Sequence, residues 1–556
     1  MTVSAFTRSA RIVASPSLVA AVVLACAGAA SAQTPPTAPQ ASVRTESLGA
    51  LDLWSAPGRQ TDLPSDLWRG ASAPLLRTIL EQVGDRSPSP AIAAVGRRVL
   101  AAGAAAPEGS GGDPALAAAR ARALMQLGDP EAAWAVLARA PQAESSEALS
   151  RARVEVALIL GHDHEACDTG AALQQNRGGL WWLKLRAFCS VLAGQGPAAQ
   201  VTADLWRQSG GKDPAFERLI ADAVDGAERP APSAFDPIDW ALTRKLGWAK
   251  DLPADAAPPG LLAVLAADPQ TPAAQRREAV ARGLRMGVVP ADLARVAYAS
   301  GLEGDAVTPP TVAELTKAPG AEAEARLMLM ALRSPDPIER DQAAMAVLGR
   351  ARYAGEFPGL ARLIAPTLPE IARSGAGLSD SMLFAAGAAA AGDAATADAV
   401  RGRIEQDKTA GADAHALALL DAVIALSAGR PAGPVLDRLI DRGGVGDPKP
   451  RARAQWAALL LYADGQPLSP EAKVEFAAFD SPPAKASPER LALMARDGQK
   501  HARGEAAMLA LSIGLQQPTG PTTADRAAIV SALLEAGLER EAREVAVEGL
   551  LVLQRP

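Results

Sequence analysis

Aromatic residues make up only 4% of this 556-residue sequence, and just three of them are tyrosines. Strands favour aromatic and β-branched side chains, whereas alanine, which is abundant here, is the best helix former. The composition therefore predicts an all-α protein. The shortage of aromatic side chains also argues against a carbohydrate-binding module, which stacks sugars on exposed rings.

Positive charge is in slight deficit, because the formal net charge is −6. A moderately acidic chain is poorly suited to bind nucleic acid or anionic lipid. Beyond the N-terminal segment, no apolar run reaches the roughly 18–20 residues that a membrane span needs. We therefore expect no nucleic-acid partner and no membrane span in the mature chain, and the oligomeric state stays open.

The first 32 residues have the pattern of a secretory signal peptide. Arg8 and Arg11 precede the apolar stretch 18–25 (LVAAVVLA), and the small residues 30–32 (ASA) end at Ala32, just before Gln33. This pattern predicts cleavage between Ala32 and Gln33 and a soluble protein of the bacterial periplasm. The alternative is an outer-membrane lipoprotein, because residues 23–26 (VLAC) also resemble a lipidation site at Cys26.

The stretch 161–170 (GHDHEACDTG) concentrates metal-ligand side chains: His162, His164, Glu165 and Cys167. A zinc site needs three or four convergent ligands, and the chain has only two further histidines, both distant in sequence. We therefore interpret the stretch as a turn followed by the start of a helix. The sequence predicts no metal site and no cofactor.

Only two cysteines, Cys167 and Cys189, follow the predicted signal peptide. Each lies eleven residues from Gly178, the centre of the predicted connection between two antiparallel helices. Residues equidistant from such a turn lie side by side, within the Cα separation that a disulfide requires. Because the periplasm is oxidising, the pair is predicted to form a disulfide. The alternative is two buried thiols that pack as small apolar groups.

Helix starts and turns recur along the chain. Seven Asp-Pro or Ser-Pro pairs have the sequence of a capped helix start, between Asp113-Pro114 and Ser487-Pro488. Gly128, Gly161 and Gly194 are 33 residues apart, and alanine follows each glycine by five residues. The same glycine and alanine recur in 383–397 and 532–551. The pattern predicts many short paired helices.

This spacing resembles the tetratricopeptide repeat, a helix-turn-helix unit with glycine at the turn and a small residue in its second helix. The general character of the sequence is also similar to that of exported, alanine-rich helical proteins of α-proteobacteria that have no assigned activity. The resemblance implies an all-α array of antiparallel helix pairs, an α-solenoid in two or three modules. Stretches rich in proline and glycine suggest the boundaries: an irregular leader (33–70), tetratricopeptide-like repeats (71–225), a second helical module (235–441) and C-terminal repeats (451–556).

No convergent set of acid, base and nucleophile is apparent, so no catalytic residues are predicted. We expect a non-catalytic scaffold of the cell envelope that binds a protein partner in a groove. Arg122, Glu155 and Arg186 lie on three predicted inner helices, six, six and eight residues before their turn glycines, and they are the candidate groove residues. The alternative is an enzyme acting on peptidoglycan, because 123–127 (ALMQL) and the upstream Glu108 resemble segments of lytic transglycosylases.

Overall fold

The computed structural model describes most of the chain after residue 51. The described ranges are 52–84, 87–110, 112–140, 143–226, 236–249, 254–302, 310–406, 413–517 and 519–554. The predicted signal peptide, its cleavage site between Ala32 and Gln33, and the alternative lipidation site at Cys26 lie outside the described residues.

Helices and their connections make up the described residues, which contain no β-strand. Consecutive helices pack as antiparallel pairs, so the predicted all-α array is confirmed. The helices are α1 (Ala73–Glu81), α2 (Pro90–Ala101), α3 (Pro114–Gln126), α4 (Pro130–Ala138), α5 (Glu147–Leu160), α6 (Asp163–Ala172), α7 (Leu180–Leu192), α8 (Gly196–Gln208), α9 (Pro214–Asp225), α10 (Pro237–Lys245), α11 (Pro259–Ala267), α12 (Ala273–Arg285), α13 (Ala291–Ala299), α14 (Val312–Lys317), α15 (Ala321–Arg333), α16 (Pro337–Gly349), α17 (Phe357–Ile364), α18 (Leu368–Arg373), α19 (Ser381–Ala390), α20 (Ala394–Gln406), α21 (Ala414–Ser427), α22 (Gly433–Gly444), α23 (Pro448–Ala463), α24 (Pro470–Ala477), α25 (Pro488–Gln499), α26 (Arg503–Gln516), α27 (Thr523–Glu535) and α28 (Glu539–Gln554).

Capping side chains begin helices where the sequence has Asp-Pro or Ser-Pro. The carboxylate of Asp113 accepts hydrogen bonds from the backbone N–H groups of Ala115 and Leu116, at 2.9 and 3.1 Å. Proline at the first helical position has no N–H to satisfy, so the pair fixes where the helix begins. All of the predicted caps accept such bonds: Asp113, Asp129, Asp213, Asp236, Asp336, Ser469 and Ser487.

The repeated glycines form the turns of helix pairs. Gly128, Gly161 and Gly194 have φ angles of 93°, 85° and 71°, which glycine adopts without the steric penalty of a Cβ. They separate α3 from α4, α5 from α6 and α7 from α8. The alanine five residues after each glycine is fully buried, so the second helix can approach its partner closely. The chain is thus built of many paired helices, consistent with a helical repeat.

The first helices of the described chain pack against the last ones. Helix α2 contacts α26 and α28, and α1 contacts α26. The N–H of Ala91 donates to Glu548 Oε2 at 2.9 Å. Trp68 lies so close to Gly504 that a Cβ on this glycine would be 2.3 Å from the indole ring. The segment that precedes α1 therefore belongs to the same hydrophobic core as the C-terminal helices.

Residues 52–72 form no helix, yet their two tryptophans are fully buried. The rings of Trp54 and Trp68 pack edge to face, with centroids 4.9 Å apart. The main hydrophobic core includes side chains from Leu53 to Leu553. The division of the helical part into three modules stays a prediction.

A second, smaller core is formed by helices α5 to α10, and α10 returns to pack on α5. Lys184 of α7 lies among three carboxylates there: its Nζ is 2.9 Å from Asp213, 3.4 Å from Asp236 and 2.9 Å from Asp239. Burial raises the pKa of Asp239 to about 7, although Lys184 opposes the shift. Since Asp213 caps α9 and Asp236 caps α10, the cluster joins three helices.

None of the described helices is both long and apolar enough to cross a membrane.

Candidate functional site

A cavity of about 620 Å³ lies among helices α16, α17, α19, α21, α23 and α28. Helices α19, α21 and α23 are separated in sequence by their antiparallel partners α20 and α22, and each contacts the next. The residues that line the cavity come from the N-terminal ends of these three helices and of α17, and from the C-terminal ends of α16 and α28. The repeated pairing of helices therefore builds this cavity.

The floor of the cavity is apolar. Most of its lining residues are apolar, and the large ones are Leu348, Phe357, Met382, Leu383, Leu419 and Leu551. The volume lies within the roughly 300–1,000 Å³ of typical ligand sites, which also combine an apolar lining with a few polar groups. A ligand with an apolar side chain would gain free energy by removing this surface and its own from water.

Polar groups surround the mouth of the cavity. Asp380 and Asp413 cap α19 and α21, accepting from the N–H of Leu383 at 2.9 Å and of His415 at 3.0 Å. Arg453 adds a positive charge from α23. Gln554 also lines the cavity, and its buried Nε2 has no hydrogen-bond partner in the part of the chain that the structure describes. A carbonyl oxygen of a ligand could accept from this amide.

His415 holds the mouth of the cavity in place. Its Nε2 lies 3.1 Å from the carbonyl oxygens of both Arg442 and Val445, so this nitrogen carries a hydrogen and donates. Its Nδ1 lies 3.3 Å from Asp413. Gly446 has a φ of 91°, and a Cβ at this position would be 2.8 Å from the imidazole ring. The histidine therefore positions α21 against the connection that follows α22.

Cys167 and Cys189 form the predicted disulfide between α6 and α7, with Cα atoms 5.7 Å apart. The other side chains of the 161–170 stretch point to different surroundings. His162 packs edge to face against Trp134, with ring centroids 5.0 Å apart, while His164 and Glu165 are exposed. Among the described residues, no group of three or more His, Cys, Asp or Glu side chains is placed to hold a metal ion.

Two of the three candidate groove residues lie together. Arg122 Nε of α3 is 3.6 Å from Glu155 Oε2 of α5, and Arg151 donates to the same carboxylate at 2.8 Å. Arg186 of α7 donates instead to the carbonyl of Arg177 at 2.9 Å. Because Glu155 is buried and ion-paired, it joins adjacent helices. Whether these residues bind a partner stays a prediction.

Glu108, on which the enzyme alternative rests, is exposed in the connection between α2 and α3. No pattern in the sequence indicates the cavity, although its helices fall within the predicted modules. One signal was available: Asp380 and Asp413 each precede an alanine-rich helix, as capping residues do, but neither is followed by proline. The convergence of three helix ends depends on packing, which no single stretch reveals.

Comparison with known proteins gives no further guide to the site. No protein-family model, no curated protein and no solved structure matches this chain. The interpretation of the cavity therefore rests on its own geometry and chemistry.

Proposed function

We propose that this chain is a non-catalytic scaffold that binds a protein partner on a tetratricopeptide-like helical array. The observation that carries the proposal is the cavity of about 620 Å³ where the N-terminal ends of α19, α21 and α23 meet. Helical-repeat proteins bind extended partners on a surface to which many repeats contribute. An apolar floor with a polar rim suits this mode of binding, because side chains enter pockets while the rim meets the backbone.

The partner segment should combine a bulky apolar side chain with a basic residue. The apolar side chain would fill the floor beside Met382, Leu383 and Leu419. Among the described residues, His415 is the one basic side chain that pairs with the mouth carboxylates of Asp380 and Asp413, and it contacts only Asp413. A lysine or arginine of the partner would therefore be attracted to this rim.

We further propose that the protein works in the periplasm. The Cys167–Cys189 disulfide supports this compartment, because such bonds persist where the surroundings are oxidising. N-terminal sequencing of the mature protein is expected to begin at Gln33. A lipid-modified Cys26 at the terminus would contradict this and would indicate a membrane-anchored lipoprotein.

Met382→Glu is expected to weaken binding of the partner at least tenfold without unfolding the chain. Met382 lines the cavity and is only partly buried, so a carboxylate there remains hydrated while it repels an apolar ligand and adds negative charge. Random displayed peptides are selected on the wild-type protein, and the affinities of the selected peptides for the wild type and for Met382→Glu are then compared. We expect enriched peptides to carry a bulky apolar residue next to lysine or arginine, and to lose at least tenfold in affinity for Met382→Glu.

Val474→Glu is the matched control, because it makes the same charge change on an exposed side chain of α24, outside the cavity lining. It should bind the selected peptides as the wild type does, and both variants should melt like the wild type. Peptides that bind Met382→Glu and wild type equally would show that the cavity is not the binding site.

A further inference from the structure

A second cavity, of about 280 Å³, lies at the C-terminal ends of α19 and α21, the two helices whose N-terminal ends line the apolar cavity. It is lined by the C-terminal ends of α19 and α21 together with α2, α17 and α28. Half of its lining residues are glycine, alanine or serine, which leave room for longer side chains to converge; they include Ala91, Ala94, Gly287, Gly355, Gly359 and Gly392. The chemistry of this cavity differs from that of the apolar one.

Three arginines from three different helices line the small-residue wall. They are Arg97 of α2, Arg362 of α17 and Arg543 of α28. Within the described part of the chain, none of the three forms an ion pair with a carboxylate within 4 Å, although Glu544 attracts Arg97 and Asp464 attracts Arg543 at longer range. This is unusual in a chain with a net charge of −6, where acids outnumber bases. Three cationic groups therefore face one space, and none of them is neutralised by a direct ion pair.

Backbone carbonyls accept the hydrogen bonds of Arg97, while the charges of Asp129 and Glu544 also favour its protonated form. Its guanidinium donates to the carbonyl oxygens of Leu127 and Gly287, both at 2.9 Å. These carbonyls follow the C-terminal ends of α3 and α12, where the helix dipole favours a cation. Burial lowers the pKa of Arg97 to about 10, so the side chain is still protonated at neutral pH.

The two carboxylates in the cavity wall are engaged with other groups. Glu544 accepts from Arg540 Nε at 3.1 Å. Glu548 accepts from Arg526 Nη1 at 2.8 Å and from the N–H of Ala91 at 2.9 Å. The helix ends contribute only about half an elementary charge each. The cavity therefore keeps a positive excess.

A further donor in the cavity points to a ligand independently of the charges. Ser427 lines the cavity, and its buried Oγ has no hydrogen-bond partner among the described residues. Buried polar atoms are nearly always hydrogen-bonded, to protein, water or ligand. A hydroxyl beside three guanidinium groups is a set of donors that suits an oxyanion.

We propose that this arginine-lined cavity binds a small multivalent oxyanion, a phosphate group or a polycarboxylate. The planar donors of arginine match the oxygens of both groups in pairs, and the volume admits a ligand of that size. The site is separate from the apolar cavity and does not depend on the proposed protein partner.

Isothermal titration calorimetry at low ionic strength tests the proposal, with inorganic phosphate and citrate as the probes. The wild type is expected to bind at least one of them saturably with one site per chain. Arg362→Gln and Arg543→Gln should each weaken that binding at least tenfold, because each removes charge-assisted hydrogen bonds. Ser427→Ala should weaken it by a smaller factor.

Arg326→Gln is the matched control, since it removes the same charge from an arginine that pairs with Glu322 and does not line the cavity. The affinity of the Arg326→Gln variant for phosphate and citrate should match that of the wild type. Arg362 is exposed, so its variant should fold even if the Arg543 variant does not. The proposal would be overturned if the wild type bound neither phosphate nor citrate saturably. It would also be overturned if Arg326→Gln weakened binding as much as Arg362→Gln does. The three arginines would then serve only to cap helix ends.

Discussion

Arg120→Met is expected to lower the free energy of unfolding by about 3 kcal/mol or more, the largest single effect predicted for this chain. Arg120 of α3 is fully buried, and its guanidinium donates to the carbonyl oxygens of Leu100 at 2.8 Å, Trp54 at 2.9 Å and Ala102 at 2.7 Å. A fourth, longer bond reaches Ala56 at 3.3 Å. Methionine fills a similar volume but leaves all four carbonyls without this donor.

The position of these carbonyls explains why one side chain matters so much. Leu100 and Ala102 lie at the C-terminal end of α2, whereas Trp54 and Ala56 belong to the irregular segment before α1. Arg120 thus fastens that segment and α2 to α3, and its guanidinium also lies 5.1 Å from the centre of the Trp54 ring. Burial lowers the pKa of Arg120 to about 10, so the group remains charged at neutral pH.

Urea unfolding followed by tryptophan fluorescence measures this effect, and limited proteolysis shows whether residues 52–72 detach first. Arg69→Met is the matched control, because the Arg69 side chain is 71% exposed and pairs with Asp66, three residues away. Exposed pairs contribute at most about 1 kcal/mol. If Arg120→Met cost no more than Arg69→Met, the segment before α1 would not be an integral part of the core.

Features that depend on neighbours in sequence could be predicted without the structure. A capping aspartate acts on N–H groups two or three residues later, and a turn glycine acts at its own position. The structure confirms the predicted helix cap at Asp113 and the predicted turn at Gly161. The pairing of Cys167 with Cys189 also followed from local symmetry, because both lie on helices joined by one short connection.

Features that join distant segments could not be predicted in this way. Arg120 and Arg122 are two residues apart on one helix, yet only Arg120 is fully buried, because the segment around Trp54 covers that face of α3. The contact between Trp68 and Gly504 joins residues that are more than four hundred positions apart. Both cavities arise in the same way, from helix ends that meet only after the array has folded.

Cys167→Ala and Cys189→Ala are each expected to destabilise the α6–α7 pair by about 3 kcal/mol, in the chain-entropy model for a loop of 22 residues. The effect should be local, because this pair packs within the smaller core and helix α6 buries only Ala166 among its side chains. Hydrogen exchange measures it directly. Amides of α6 and α7 should exchange about a hundredfold faster in either variant, while those of α26 keep their protection.

The double variant provides the decisive comparison. Since either substitution removes the same covalent bond, the double variant should exchange only slightly faster than each single one. His162→Ala combined with His164→Ala is the companion control within the same stretch, and it should leave the exchange of α7 unchanged. Additive effects of the two cysteine substitutions would contradict the disulfide and would instead show two thiols that stabilise the core separately by packing. Stoichiometric zinc in the purified protein, lost in the double histidine variant, would show that residues 161–170 bind a metal ion.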